Sequence, residues 1–228
     1  MSFRYYLYVS DAKVDMLLSQ IDPGHQRRRA AEFSVNLTVV GVKRSVENPG
    51  TDRLARLERV TRYLDEHADV GSVDEPGQFF RGLLPMRWGI VPTTGELSLV
   101  YFGGRTDDTI VGLGGSPFHL VGAAPAAEST GRGPMGSSTM PALLAGLVDD
   151  EAAPVPGTAH DAADEPDAAE VAALASVHQA GTRLRGPTQN VEFLAKRLLH
   201  GPSPYPELDG RPGMTVLLGS PLYVALVD

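Results

Sequence analysis

Residues 97–121, LSLVYFGGRTDDTIVGLGGSPFHLV, carry the reading on which the fold turns. Two runs of β-branched, aromatic and leucine side chains, 97–102 and 109–113, flank Gly103, Gly104, Arg105, Thr106, Asp107 and Asp108. Apolar runs on either side of a polar, glycine-containing turn are the signature of a β-hairpin. A lone hairpin is marginal in water, so the rest of the chain must supply strands or helices to cover it.

Upstream, residues 79–91 keep the same apolar character with Pro85 inside the run. Proline cannot donate to a ladder, so this segment reads as an irregular or edge strand. Residues 33–40 alternate, with Phe33, Val35, Leu37 and Val39 opposed to Ser34, Asn36 and Thr38, as a half-buried strand does. Residues 3–9 form a first strand, and Ser10 is placed to cap the helix that follows. In that helix Val14, Leu17, Leu18 and Ile21 make one apolar stripe, ended by Asp22, Pro23 and Gly24. A second helix opens at Thr51 or Asp52 and buries Leu54, Leu57, Val60 and Leu64.

Downstream, two more helices are predicted, from about 170 to 184 and from 188 to 200. The second is started by Gly186 and Pro187 and stopped by Gly201 and Pro202. A last strand region, 214–227, is broken by Gly219, Ser220 and Pro221. The resulting order, β-α-β-α-β-β-β-insert-α-α-β, defines an α+β (mixed α/β) fold. It is read as a single domain, residues 1–122 and 170–228, with a mixed sheet packed by helices.

Residues 123–169 differ in composition, being dominated by Ala, Gly, Pro, Ser, Thr and acids apart from the apolar run 141–148. Such a segment buries too little apolar surface to offset its ordering entropy, which predicts a flexible, largely disordered insert. Eight acids, Asp149, Asp150, Glu151, Asp161, Asp164, Glu165, Asp167 and Glu170, fall in a stretch without Lys or Arg. They equal the whole net charge of −8 and leave the remainder neutral. The total charge therefore argues neither for nor against acid-binding partners. The chain has no cysteine, which excludes disulfides, thiolate metal sites and a cysteine nucleophile. Its first residues lack a secretory pattern and no apolar run reaches about 18 residues, so the expected location is the cytoplasm, off the membrane.

The feature that draws a functional reading is a pair: Gly115-Ser116-Pro117 and Gly219-Ser220-Pro221. Each follows an apolar run and precedes an apolar residue, a ring and two small apolar residues. Ser before Pro is N-cap and first-turn chemistry, and glycines let backbone N–H groups approach a ligand, so either turn could hold an anion. The simpler reading is a pair of tight turns where strands end or bend. His119 lies three residues past Ser116, and Asp107 and Asp108 are close in sequence, which supplies the parts of a hydrolase or transferase without the spacing of a known triad. Neither a Walker-type loop nor a Gly-x-Ser-x-Gly elbow is present, and the six histidines show no ligand spacing, so no metal is read. Arg27, Arg28, Arg29, Lys43, Arg44, Arg53, Arg56, Arg59 and Arg62 form a local basic bias. Interspersed acids make it a solvated helix face rather than a nucleic-acid site. The sole tryptophan, Trp88, reads as partly buried packing or as a pocket wall beside Arg87.

Several segments together carry a resemblance: 5–13 (YYLYVSDAK), 84–89 (LPMRWG), 100–104 (VYFGG), 112–116 (GLGGS), 192–198 (EFLAKRL) and 217–226 (LLGSPLYVAL). With them the chain resembles a family of uncharacterised actinobacterial proteins, the DUF7019 type. The resemblance covers both ends and skips the insert. It implies no activity and no site residues, only that the glycine-rich loop and the C-terminal strand belong to the domain proper.

On these grounds the leading functional expectation is a binding or sensor module for a small anionic ligand or a partner protein. Its contact residues would be Gly103, Gly104, Gly114, Gly115, Ser116, His119, Ser220 and Tyr223. The competing expectations are an enzyme using Ser116 and His119, and a purely structural interaction protein tethered by the insert. No cofactor is implied by the sequence, and the oligomeric state is open.

Overall fold

The computed structural model describes residues 3–22, 49–92, 98–122, 166–207 and 211–227. The strand read at 33–40, the basic residues 27–29 and 43–44, and the insert up to residue 165 lie outside the described residues. Two compact units divide the chain: Ser10–Val70, and Met1–Val9 with Gly71–Asp228.

In the second unit the hairpin is where the sequence put it. Strand β4 (Ser98–Arg105) pairs antiparallel with β5 (Thr109–Gly115), from Val100 opposite Gly115 to Arg105 opposite Ile110. The glycines Gly103 and Gly104 belong to the strand and not to the turn. The reversal is made by Thr106, Asp107 and Asp108 alone. Thr106 Oγ1 accepts from the N–H groups of Asp108 at 3.2 Å and Thr109 at 2.9 Å, an internal brace for a short turn.

The remaining strands are β1 (Tyr5–Val9), β2 (Val70–Gly71), β3 (Phe79–Pro92), β6 (Gln189–Pro202) and β7 (Thr215–Leu226). β3 pairs with β6 over residues 79–86 and with β4 over residues 86–92. β7 pairs with β6 along its whole length, parallel with β5 up to Gly219, and with β1 from Tyr223 onward. The pairings β3–β4–β5–β7–β6–β3 form a ring, so the mixed sheet closes on itself and its central strands have no free edge.

Two readings change. Residues 188–200 are not a helix but β6. Val191, Leu194 or Ala195, and Leu198 fit a helical stripe. Val191, Phe193 and Ala195 also alternate, and all three are fully buried between β3 and β7. Pairing on both edges decides between two periodicities that the sequence satisfies equally. Likewise Gly219, Ser220 and Pro221 do not break the last strand. Pro221 falls between the last β5 partner, at Gly219, and the first β1 partner, at Tyr223. On its other edge the β6 register shifts between Leu194 and Ala195. The missing N–H thus coincides with an interruption of the ladder on both sides, which is where a strand tolerates proline. Pro85 sits in β3 just where its partner changes from β6 to β4, under the same rule.

Alternation sorts the side chains. Phe80, Leu84, Met86, Val100, Phe102, Val111, Leu113, Val191, Phe193, Leu217 and Val224 fill the inside of the ring. Leu99, Tyr101, Val216 and Leu218 face outward and are covered by Leu174, Val177, Ala180 and Leu184. Three of these covering residues lie on helix α3 (Pro166–Arg183), which begins four residues earlier than its sequence pattern indicates. Gly112 is what lets this layer close. A Cβ there would fall on the Tyr101 hydroxyl and stand 2.8 Å from Val177 Cγ1. The Tyr101 hydroxyl, lodged above Gly112, donates to the Val177 carbonyl at 3.1 Å and ties β4 to α3. Burial raises its pKa well above the ordinary tyrosine value.

The unit Ser10–Val70 contains α1 (Asp11–Ile21) and α2 (Pro49–His67). Val14 and Leu18 are buried on α1, and Leu57, Val60 and Leu64 on α2; Leu54, expected in the same stripe, is exposed. Arg53 pairs with Asp11 at 2.9 Å, Arg56 with Asp15 at 2.5 Å and Arg59 with Asp22 at 3.0 Å. Partners ascend together along both helices, so α1 and α2 run in the same direction. Three arginines read as a solvated face are therefore rungs of an ion-pair ladder. They were missed because the aspartates that answer them are some forty residues away in sequence.

Two predictions come from this packing. Gly112→Ala lowers the unfolding free energy by about 1–3 kcal/mol in urea titration, the usual cost of overpacking. Lys13, half-buried on α1, has its ammonium pushed down by burial from 10.5 to about 8. Between those values the unfolded chain holds the extra proton, so this contribution to stability is complete above 10.5 and is lost as pH falls to about 8. Stability of the wild type measured against Lys13→Met should therefore rise from pH 8 to pH 10.

Candidate functional site

The eight residues singled out in the sequence are spread over several parts of the barrel unit. Gly103 lies outside the ring, beneath Leu184 and Gly181, while Gly104 faces inward against Met86 and Leu84. Gly114 and Gly115 close β5, and a Cβ on Gly115 would fall on the Tyr8 ring. Ser220 is buried in β7 opposite Lys196. The Tyr223 hydroxyl donates to Glu192 Oε1 at 2.7 Å, and Arg4 binds the same carboxylate, Nε to Oε2 at 2.9 Å. Burial and the Glu192 contact hold the Tyr223 pKa well above its ordinary value, and Glu192 raises that of Arg4. This triad ties β1 and β7 to β6.

The two Gly-Ser-Pro motifs share letters but not conformation. Pro117 does start a helical turn, the three-residue 3-10 helix Pro117–His119. Ser116 caps it by accepting from the Phe118 N–H at 3.4 Å. Pro221 starts none. Asp107 and Asp108 stand at the far end of β5 from Ser116, about 20 Å away at the rise of an extended strand. Asp107 is paired there with Arg211 at 3.4 Å. Ser116, His119 and these aspartates are therefore not assembled as a catalytic triad.

What the fold does assemble is a line of rings at the end of the barrel where β5 stops. The His119 imidazole meets Tyr8 edge-on, centroids 5.8 Å apart. Tyr8 meets Phe102 edge-on at 6.3 Å, and Phe102 stacks on Trp88 at 5.8 Å and 27°. After the 3-10 turn the chain lies along β1, with Leu120 bridged to Tyr8 and the Val121 N–H donating to the Leu7 carbonyl at 2.9 Å. Leu7, Trp88, Leu120 and Leu226 are only partly covered. Ile90 and Phe118 are 58% and 66% exposed. The Trp88 indole N–H donates to Gln189 Oε1 at 3.0 Å. The ring's interior is packed and α3 covers one outer face, so the partly covered apolar side chains of the barrel unit gather at this end.

Of the predicted residues, Ser116 and His119 border this mouth and Gly114–Gly115 lead into it. Tyr8, Phe102 and Gln189 were not singled out from the sequence. Tyr8 and Phe102 read simply as strand residues, and Gln189 was assigned to a helix. Trp88 was singled out, but beside Arg87. Alternation along β3 places Arg87 on the opposite side, exposed.

By fold and site this is a small closed β-barrel with a helix packed on its wall and an aromatic mouth. A model for a family of unknown function, DUF7019, matches residues 4–228, and the chain belongs to that family. No curated protein and no solved structure matches it. Among the described residues no helix is long and apolar enough to cross a membrane.

The Arg4–Glu192–Tyr223 triad yields a prediction of its own. Tyr223→Phe removes one hydrogen bond to a partly buried carboxylate that keeps Arg4, and should cost roughly 1 kcal/mol in chemical denaturation.

Proposed function

We propose that this chain is a cytoplasmic binding or sensor module that takes a small ligand at the barrel mouth. The observation that carries the reading is the contiguous line Trp88, Phe102, Tyr8 and His119 beneath a partly uncovered apolar rim. Aromatic walls give a flat or apolar body a large contact at little conformational cost, and the polar groups at the edge orient it. His119 and the amide of Gln189 are those groups. They suit the anionic ligand expected from the sequence, with its contacts moved from the Gly-Ser-Pro backbones to side chains, and a carbonyl-bearing one equally. Chemistry is not required by this arrangement: the capped Ser116 and the edge-packed His119 serve as walls. A partner protein is the second reading, favoured by the exposure of Phe118 and Ile90 on the same rim.

Trp88 is the only tryptophan in the chain, so its emission reports on the mouth directly. Titration with nucleotides, aromatic carboxylates and acyl-CoAs should give a saturable emission change with at least one class. Thermal stabilisation by that class should be reduced in Trp88→Ala and His119→Ala. Equal stabilisation of both variants and the wild type would place the ligand elsewhere.

A further inference from the structure

The inward-facing row of β6 begins Gln189, Val191, Phe193, Ala195, three apolar residues headed by one amide at the mouth. Gln189 stands opposite Met86, the last β3 residue in the β6 ladder, and Trp88 lies two residues beyond. An indole N–H can only donate, so the Gln189 atom 3.0 Å from it is the amide oxygen. That single bond fixes the orientation of the whole group. The oxygen is held against Trp88, and the NH2, with two donors and no hydrogen bond among the described residues, is turned away from the indole. Gln189 is half-buried and its NH2 is not among the buried atoms left without a partner, so these donors are open at the edge of the stacked Trp88–Phe102 pair, where a ligand acceptor can replace water.

We infer that Gln189 is a specificity-determining residue of the mouth, selecting ligands that present a hydrogen-bond acceptor, a carboxylate or carbonyl oxygen, on a flat apolar body. The inference rests on the binding reading above and sharpens it to a ligand class. Trp88 then has two tasks. Its face packs the ligand's apolar body, and its N–H locks Gln189 in the donor-out orientation. A ligand edge rich in donors meets the NH2 with unpaired hydrogens on both sides and is rejected.

The test uses the full chain and two matched probes, 2-naphthoate and 2-naphthamidine, which share a body and differ in an acceptor or a donor edge. The readout is the Trp88 indole proton–nitrogen resonance, unique because the chain has one tryptophan. Wild type should bind 2-naphthoate more tightly than 2-naphthamidine by about tenfold or more, the equivalent of one charge-assisted hydrogen bond. Gln189→Glu keeps an oxygen for the indole and replaces the NH2 by a second oxygen. It should leave the indole resonance of the free protein in its hydrogen-bonded position and reverse the preference. Gln189→Met, which removes both functions, should bring the two affinities together, and it decides the matter if the glutamate variant does not fold. A preference unchanged in either variant, with both probes still perturbing Trp88, overturns the role of Gln189 while leaving the mouth as a binding site. If neither probe nor 2-naphthalenemethanol perturbs the resonance, the binding reading fails and the inference with it.

Discussion

Strand β7 is the constraint on which the barrel unit depends. It is bonded on one edge to β6 from Thr215 to Leu226 and on the other first to β5 and then to β1. Every other pairing in the ring follows from where β7 lies. β7 is bonded on both edges and covered on both faces as well, and all residues from Val216 to Ala225 are buried. The change of partner from β5 to β1 also fixes a place where the ladder is interrupted on both edges, and Pro221 occupies it. The Gly-Ser-Pro motif of β7 is thus a device for changing neighbours within a strand.

Closure has a consequence for function. A ring of five strands encloses only enough volume for side chains, and here Phe80, Phe102, Phe193 and the leucines fill it. Such a barrel is a solid support, and recognition is confined to its outside and its ends. The wall over β4, β5 and the first part of β7 is taken by α3. At one end the turn of Thr106, Asp107 and Asp108 closes over its own hydrogen bonds. At the other, Trp88 and His119 remain partly uncovered over the buried rings of Phe102 and Tyr8, with one oriented amide at their edge.

The glycines concentrated near Gly103–Gly115, which first suggested a backbone open to an anionic ligand, answer to the same volume limit. Gly112 makes room for the Tyr101 ring under α3, and Gly115 for Tyr8. In both cases the side chain of a neighbouring strand lies over the bare backbone, so the space a ligand was expected to fill is filled by tyrosine.

The sequence by itself determined the elements whose signals are local. These are the hairpin of β4 and β5, the first strand, the helices α1 and α2 with their apolar stripes, and the start of a helical turn at Pro117. Each rests on neighbours within a few residues: an alternation, a cap, a turn. Tertiary structure alone decided what depends on partners far along the chain. It made β6 a strand although its pattern fits a helix, because β3 and β7 bond both its edges. It gave Arg53 and Arg56 their aspartates on α1, and Arg59 the one that caps that helix's C-terminus. It separated Gly103, Gly104, Ser220 and Tyr223 from Ser116 and His119, and set Trp88 beside Gln189, 101 residues away. A side chain's type shows in sequence which interactions it can make; which of them it does make is set by the register of strands that meet only when the ring closes.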